Sequence, residues 1–141
     1  MKEKDWDFIL NHLGEDREKY FNAVSPPVIQ SSNFAFKDLA SFRSSIEDEL
    51  ENTIYTRGTN PTVNILRKKI AALEGTEDAL VLSSGSAAIA TAIISQVKQG
   101  DHIVCVESPY SWTSSLLNKL LPRFGVSTTF VDGKSVENIE K

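Results

Sequence analysis

Three short stretches carry side chains that could do chemistry. "LSSGSAA", Leu82 to Ala88, sets Gly85 among three hydroxyls, those of Ser83, Ser84 and Ser86. The apolar run before it reads as a strand and the Ala-rich run after it as a helix. The stretch therefore lies at the carboxyl end of a strand, where ligands collect in open α/β sheets. The first N–H groups of a helix lack partners and the helix dipole favours an anion there. Gly85 lets a ligand approach the backbone closely, so the stretch reads as a phosphate cradle. The same residues also read as a serine N-cap followed by a turn glycine. Neither the Gly-Lys-Ser/Thr ending of a Walker loop nor the G-x-G-x-x-G pattern is present.

"ESPYSWT", Glu107 to Thr113, follows the next apolar run and brings Tyr110 and Trp112 to the same sheet edge. A ring in that place can stack on a flat ligand, and it can equally pack on a helix face. "YTRGTNPTV", Tyr55 to Val63, joins the phenol of Tyr55 and the guanidinium of Arg57 to Gly58 and Pro61. A plain hinge needs the glycine and the proline but not the other two. His12 and His102 have no second ligand at metal spacing and read as structural or solvated, so no metal is expected. Cys105 sits in mid-run and reads as buried and inert. Lys98, Lys119 and Lys134 lie near element ends, with nothing visible to lower their pKa and make a nucleophile.

The elements that must position these groups follow from periodicity and punctuation. Before residue 60 the chain is polar and irregular. Trp6, Ile9, Leu10 and Leu13 suggest a helix over 4–13, and Leu39, Phe42, Ile46 and Leu50 another over 37–51. Pro26 and Pro27 force "SPPVIQSSNFAF" between them to be extended. Asn60 is a good N-cap with Pro61 at the first helical position, and Gly75 closes the helix that follows. "DALVLSS", "HIVCVES" and "GVSTTFVDG" read as strands. "GSAAIATAIISQVKQG" reads as a helix stopped at Gly100, "SWTSSLLNKLLP" as one stopped by Pro122, and Ser135 as the cap of another. Strands apolar at every position and alternating with helices imply a mostly parallel sheet covered on both faces, an α/β fold. The helix begun by "KSVENIEK" stops at once, and a sheet of about three strands would keep open edges, so the chain reads as cut off in mid-domain.

Composition narrows the classes. With 141 residues the prior is one domain. A hydrophobic content of 40% and a charged content of 24% are ordinary for a globular protein. The net charge of −4 and the lack of a basic run argue against a nucleic-acid partner. The apolar stretch near Ala87 to Ile94 is too short to span a bilayer, so no membrane partner is expected. "MKEKDWDF" lacks the apolar core of a secretory signal. Cys105 is the single cysteine, which excludes an internal disulfide and fits a reducing cytoplasm.

Taken together, "YTRGTNPTV", "LRKKIAALEGTEDALVLSSGSAAI", "GDHIV" and "LPRFGVSTTFVD" resemble the cysteine/methionine metabolism family of pyridoxal-phosphate enzymes. That family includes cystathionine gamma-synthase, cystathionine beta- and gamma-lyases, methionine gamma-lyase and O-acetylhomoserine sulfhydrylase. The matching stretches cover most of Gln30 to Asp132 in the expected order.

The resemblance implies the N-terminal part of a fold type I, aspartate aminotransferase-like transferase. Residues 1–60 would form an irregular arm contacting a neighbouring subunit, and 61–141 the first part of the cofactor-binding large domain. The cofactor would be pyridoxal 5'-phosphate, with its phosphate on the backbone amides of Gly85 and Ser86. Tyr110 would stack on the pyridine ring and serve as acid/base. Tyr55 and Arg57 would reach from one subunit to the phosphate in its neighbour, in a homo-oligomer built as a dimer of dimers. The substrate would be a sulfur-containing amino acid such as cystathionine, undergoing C–S elimination or replacement. Two departures stand out. Family members often carry Met where Ser86 stands, and commonly read Tyr-Gly-Gly-Thr at Tyr110-Ser111-Trp112-Thr113. The family's Schiff-base lysine lies further along the chain than Lys141, so this segment is expected to be inactive alone. A different class of reading is a truncated, non-catalytic paralogue that only pairs with full-length subunits.

Overall fold

The structure, a computed structural model, describes residues 5–139. The chain divides into two compact units between Val81 and Leu82.

In the N-terminal unit each of the three α-helices among the described residues begins on a side chain that replaces a missing backbone acceptor. Asp5 caps α1 (Trp6–Asn11) by accepting from the Phe8 amide at 3.0 Å. The expected start of this helix at Lys4 lies outside the described residues. Asp38 caps α2 (Leu39–Glu47) through the Ser41 amide at 2.7 Å. Asn60 caps α3 (Pro61–Glu74) through the Thr62 amide at 2.9 Å. Gly75, at φ +77°, ends α3 in the left-handed region that glycine enters without penalty. Residues 26–36 form no helix, and Asn33 makes an antiparallel bridge to Tyr55.

Helix α1 is fastened to α3 by a charged cluster. Lys69 donates to Glu15 Oε1 at 2.6 Å and to the Leu10 carbonyl at 2.8 Å. Arg17 donates to Glu15 Oε2 at 2.9 Å and to the Asn11 carbonyl at 3.1 Å. The Lys69 hydrogen bond, aided by Arg17, holds the Glu15 carboxyl below the usual carboxylate range against the opposing effect of desolvation. Further along, Arg67 pairs with Asp78 and donates to the Ala79 carbonyl at 2.9 Å.

The C-terminal unit is a β-α-β arrangement with one more helix. Helix α4 (Gly85–Ile94) precedes β1 (His102–Val106), and α5 (Ser111–Ser115) connects β1 to β2 (Ser127–Val131). The two strands pair in parallel, in register from His102 with Ser127 to Val106 with Val131. Leu116, Leu117, Leu121 and Val126 form the core, and Ala90, Ile93, Val97, Ile103, Cys105 and Phe130 pack against it.

Several sequence expectations need correction. "DALVLSS" is not a strand: residues 79–82 pair with no other strand among the described residues, and Leu80 is exposed. β1 is not buried on both faces. Ile103 and Cys105 face the core, whereas Val104, 48% exposed, lies on the open face with His102 and Val106. Cys105 is accordingly half-buried. Pro122 does not stop the helix. After α5 the backbone widens into a π turn over Leu116–Leu120 and tightens into a 3-10 turn over Leu121–Phe124, ending at Gly125 with φ +75°. Widening relieves the clash that the Pro122 ring would make with the carbonyl four residues back. Ser135 precedes a 3-10 turn, Val136–Asn138, without a side-chain cap bond. The end of "KSVENIEK" at Glu140 and Lys141 lies outside the described residues.

Candidate active site

The start of α4 supplies two unused donors. Ser84 Oγ takes the Ala87 amide at 3.1 Å and the Ser84 carbonyl takes the Ala88 amide at 3.0 Å. The N–H groups of Gly85 and Ser86 come before the first acceptor that the helix can offer them. A Cβ built on Gly85 would meet nothing within 4 Å, so the space beside this backbone is open. The serine-cap and phosphate-cradle readings are therefore compatible: Ser84 does the capping and leaves the two preceding amides free to bind.

Beside this turn, a groove of about 350 Å³ runs between α4 and residues 110–123. Ser86 and Ile89 line it from one side, and Tyr110, Trp112, Lys119 and Arg123 from the other. Tyr110 stands just before α5 with its carbonyl accepting the Ser114 amide at 3.0 Å. Tyr110 is 56% exposed and Trp112 64% exposed, so neither residue is spent on the core. Three residues singled out from the sequence, Ser86, Tyr110 and Trp112, thus meet in one groove. Ser83 is not among its lining residues. Sequence reasoning missed Lys119 and Arg123 as groove residues. Their four-residue spacing, continuing the stripe of Trp112 and Leu116, was the available signal.

Tyr55 and Arg57 lie in the N-terminal unit and are exposed. The Tyr55 carbonyl accepts the amides of Gly58 at 2.9 Å and Thr59 at 3.2 Å, which folds the loop into a tight turn. The Arg57 guanidinium carbon sits 4.8 Å from the centre of the Tyr55 ring, within cation–π range. The two groups that the sequence leaves without a task are therefore presented together. A second cavity of this unit, about 420 Å³, is lined by Tyr20, Ile29, Thr62 and Lys68 and holds none of the expected site residues.

Among the described residues no group of three or more His, Cys, Asp and Glu side chains is placed to hold an ion. His102 Nδ1 lies 2.8 Å from Ser127 Oγ across the strands, and His12 rests near Phe8. No helix among the described residues is long and apolar enough to cross a membrane.

Comparison with known proteins identifies the family and the fold. The family model described as "Cys/Met metabolism PLP-dependent enzyme" matches residues 8–141. The chain is 41% identical over 130 residues to an L-methionine gamma-lyase of Treponema denticola, covering 92% of this chain and 32% of that relative. It is 34% identical over 133 residues to an O-acetyl-L-homoserine sulfhydrylase of Leptospira meyeri, covering 94% of this chain and 30% of that one. The fold matches a protein from Campylobacter jejuni crystallised as an O-acetylhomoserine (thiol)-lyase, with a TM-score of 0.87 and 23% identity. That match covers 98% of this chain and 34% of the other, which carries N'-pyridoxyl-lysine-5'-monophosphate. The chain spans about a third of the length of these relatives. Its fold is the N-terminal part of a fold type I pyridoxal-phosphate enzyme. Motifs, fold and relatives agree, and the chain belongs to the Cys/Met metabolism PLP-dependent enzyme family, whose cofactor is pyridoxal 5'-phosphate.

Proposed function

We propose that this chain supplies part of the active site of an enzyme that eliminates or replaces a group at a carbon–sulfur bond of an amino acid, in trans-sulfuration or methionine metabolism. The observation that carries the reading is the groove in which Ser86, Tyr110 and Trp112 meet beside the open backbone of Gly85. The residues present fit a flat phosphorylated ring. Two free amides and an uncrowded glycine suit the phosphate, and an exposed phenol beside them suits the ring. When bound, pyridoxal phosphate supplies an electron sink for charge developing at the substrate Cα.

In this reading the amides of Gly85 and Ser86 hold the phosphate, and the Tyr110 ring covers the pyridine face. Tyr110 Oη moves the proton as acid/base. Tyr55 and Arg57 complete the phosphate site of a neighbouring subunit, with residues 1–60 as the connecting arm and 61–141 as the start of the large domain. A guanidinium fork suits a phosphate dianion, and the phenol adds a donor. The exposed apolar side chains of Leu39, Ile46 and Leu50 support burial of this arm against a partner, within a dimer of dimers. Relatives named for methionine gamma-elimination and for sulfhydrylation of O-acetylhomoserine favour reaction at the γ-carbon, with cystathionine as a related substrate. Trp112 narrows the groove at the place where family members commonly carry glycine, so it bears on substrate choice. Cys105, with no internal disulfide partner, suits a cytoplasmic enzyme.

Replacement of Arg57 tests the reading directly. In the complete enzyme, Arg57→Ala is expected to weaken cofactor binding by roughly ten- to a hundredfold, the worth of a hydrogen bond to a charged group. Spectroscopic titration with pyridoxal phosphate measures it. Unchanged affinity together with unchanged activity would remove Arg57 from the phosphate site.

A further inference from the structure

Residues 27–33 are stitched along "YTRGTNPT" by one isolated antiparallel bridge, a backbone bond and several side chains. Thr62 Oγ1 accepts the Ile29 amide at 2.9 Å and donates to the Pro27 carbonyl at 2.9 Å. The Thr56 amide donates to the Ser32 carbonyl at 3.0 Å, and its hydroxyl donates to the Ser31 carbonyl. Asn33 bridges to Tyr55. Asn60 joins the whole set. Its Nδ2 donates to the Ile29 carbonyl at 2.9 Å and to Thr56 Oγ1 at 3.0 Å, while its Oδ1 caps α3 on the Thr62 amide.

Asn60 and its neighbour Thr59 are buried, although the loop before them, from Tyr55 to Gly58, is exposed. Capping alone requires only an acceptor, which aspartate, serine or threonine also provides. The two donations from Nδ2 need an amide. Neither a carboxylate nor a hydroxyl supplies two N–H groups in that direction.

We infer that Asn60 is a positioning residue for Tyr55 and Arg57: through Thr56 and the Ile29 carbonyl it fixes their loop to residues 27–33, while it caps α3. The functional part of this inference rests on the phosphate role proposed above. The loop is held at Asn33–Tyr55, at Thr56 and at Asn60, so Arg57 projects from a short span tied on both sides. Loosening Asn60 frees the span without removing either functional side chain.

Asn60→Asp separates the two jobs of the residue. It keeps an acceptor for the Thr62 amide, sets a carboxylate oxygen against the Ile29 carbonyl, and can meet Thr56 Oγ1 only if that hydroxyl gives up its donation to the Ser31 carbonyl. In the complete enzyme, amide hydrogen exchange at Thr56 and Thr59 is expected to accelerate while the amides of α3 stay protected. Pyridoxal-phosphate affinity is expected to fall roughly tenfold, the equivalent of about one lost hydrogen bond. Thr56→Val, which removes one acceptor of Nδ2, is expected to act in the same direction and serves if Asn60→Asp does not fold. Unchanged exchange at Thr56 and Thr59 in the folded variant overturns the inference. So does faster exchange with wild-type cofactor affinity, if Arg57→Ala measured alongside loses the cofactor. If Arg57→Ala keeps the cofactor, the phosphate reading falls instead, and the exchange data alone decide whether Asn60 holds the loop.

Discussion

At the scale of single residues, Glu15 shows how a charge earns a nearly buried place. Its side chain is 6% exposed, and both of its oxygens are used, one by Lys69 and one by Arg17. Each cation also satisfies a carbonyl at the end of α1, of Leu10 or Asn11. Because the carboxyl of Glu15 is held below its ordinary range in the folded protein, its contribution is complete above that range. The contribution is lost as pH falls through the lowered folded value. Glu15→Gln should therefore destabilise the protein at neutral pH, with the gap to wild type closing as the pH is taken below about 4. Urea midpoints at a series of pH values measure the gap. A gap that does not change with pH would mean that the ionised carboxyl is not what fastens α1 to α3.

At the scale of elements, what could be read in advance depended on how local the cause was. Helix α3 was legible because Asn60, Pro61 and Gly75 set its ends through neighbouring backbone alone. The turn at Ser84 and Gly85 was legible for the same reason. The strand expected at "DALVLSS" was not, since a strand exists only with a partner, and its apolar residues cannot reveal whether one is present. The apolar run of β1 misled in a related way: it suggested two covered faces, while helices cover only the Ile103 and Cys105 face in this unit. The passage through Pro122 depends on a change of helical pitch that no residue type announces. The candidate groove was half legible. Tyr110, Trp112 and Ser86 declared themselves by type and place, but Lys119 and Arg123 were hidden in a stripe that reads as ordinary amphipathic helix.

The same stretch of chain, residues 111–124, also supplies most of the C-terminal unit's core. Leu117, 1% exposed, lies in a core of few buried side chains. Leu117→Ala should cost about 2–5 kcal/mol, a large fraction of what a domain has to lose. Thermal or urea unfolding followed by circular dichroism reads it. A loss below about 1 kcal/mol would mean that the surrounding leucines collapse into the space.

At the scale of the whole molecule, the residues proposed to share one phosphate fall on opposite sides of the division at Val81 and Leu82. Tyr55 and Arg57 precede it, whereas Gly85, Ser86 and Tyr110 follow it. If the first pair serves a neighbour, the functional defect of a subunit and the location of that defect come apart. A subunit with Arg57→Ala retains its own Tyr110, and a subunit with Tyr110→Phe still offers its Arg57 to the other. Each variant alone gives oligomers in which every site is damaged. Mixed oligomers restore one site of each mixed pair, so random mixing should recover roughly a quarter of wild-type activity, as expected for a two-fold assembly. Coexpression and assay measure this, and recovery no greater than the average of the two variants would place Arg57 and Tyr110 in sites of the same subunit. In genetic language, two alleles that each fail alone would complement if, as proposed, each copy of the chain owns one half-site and lends another.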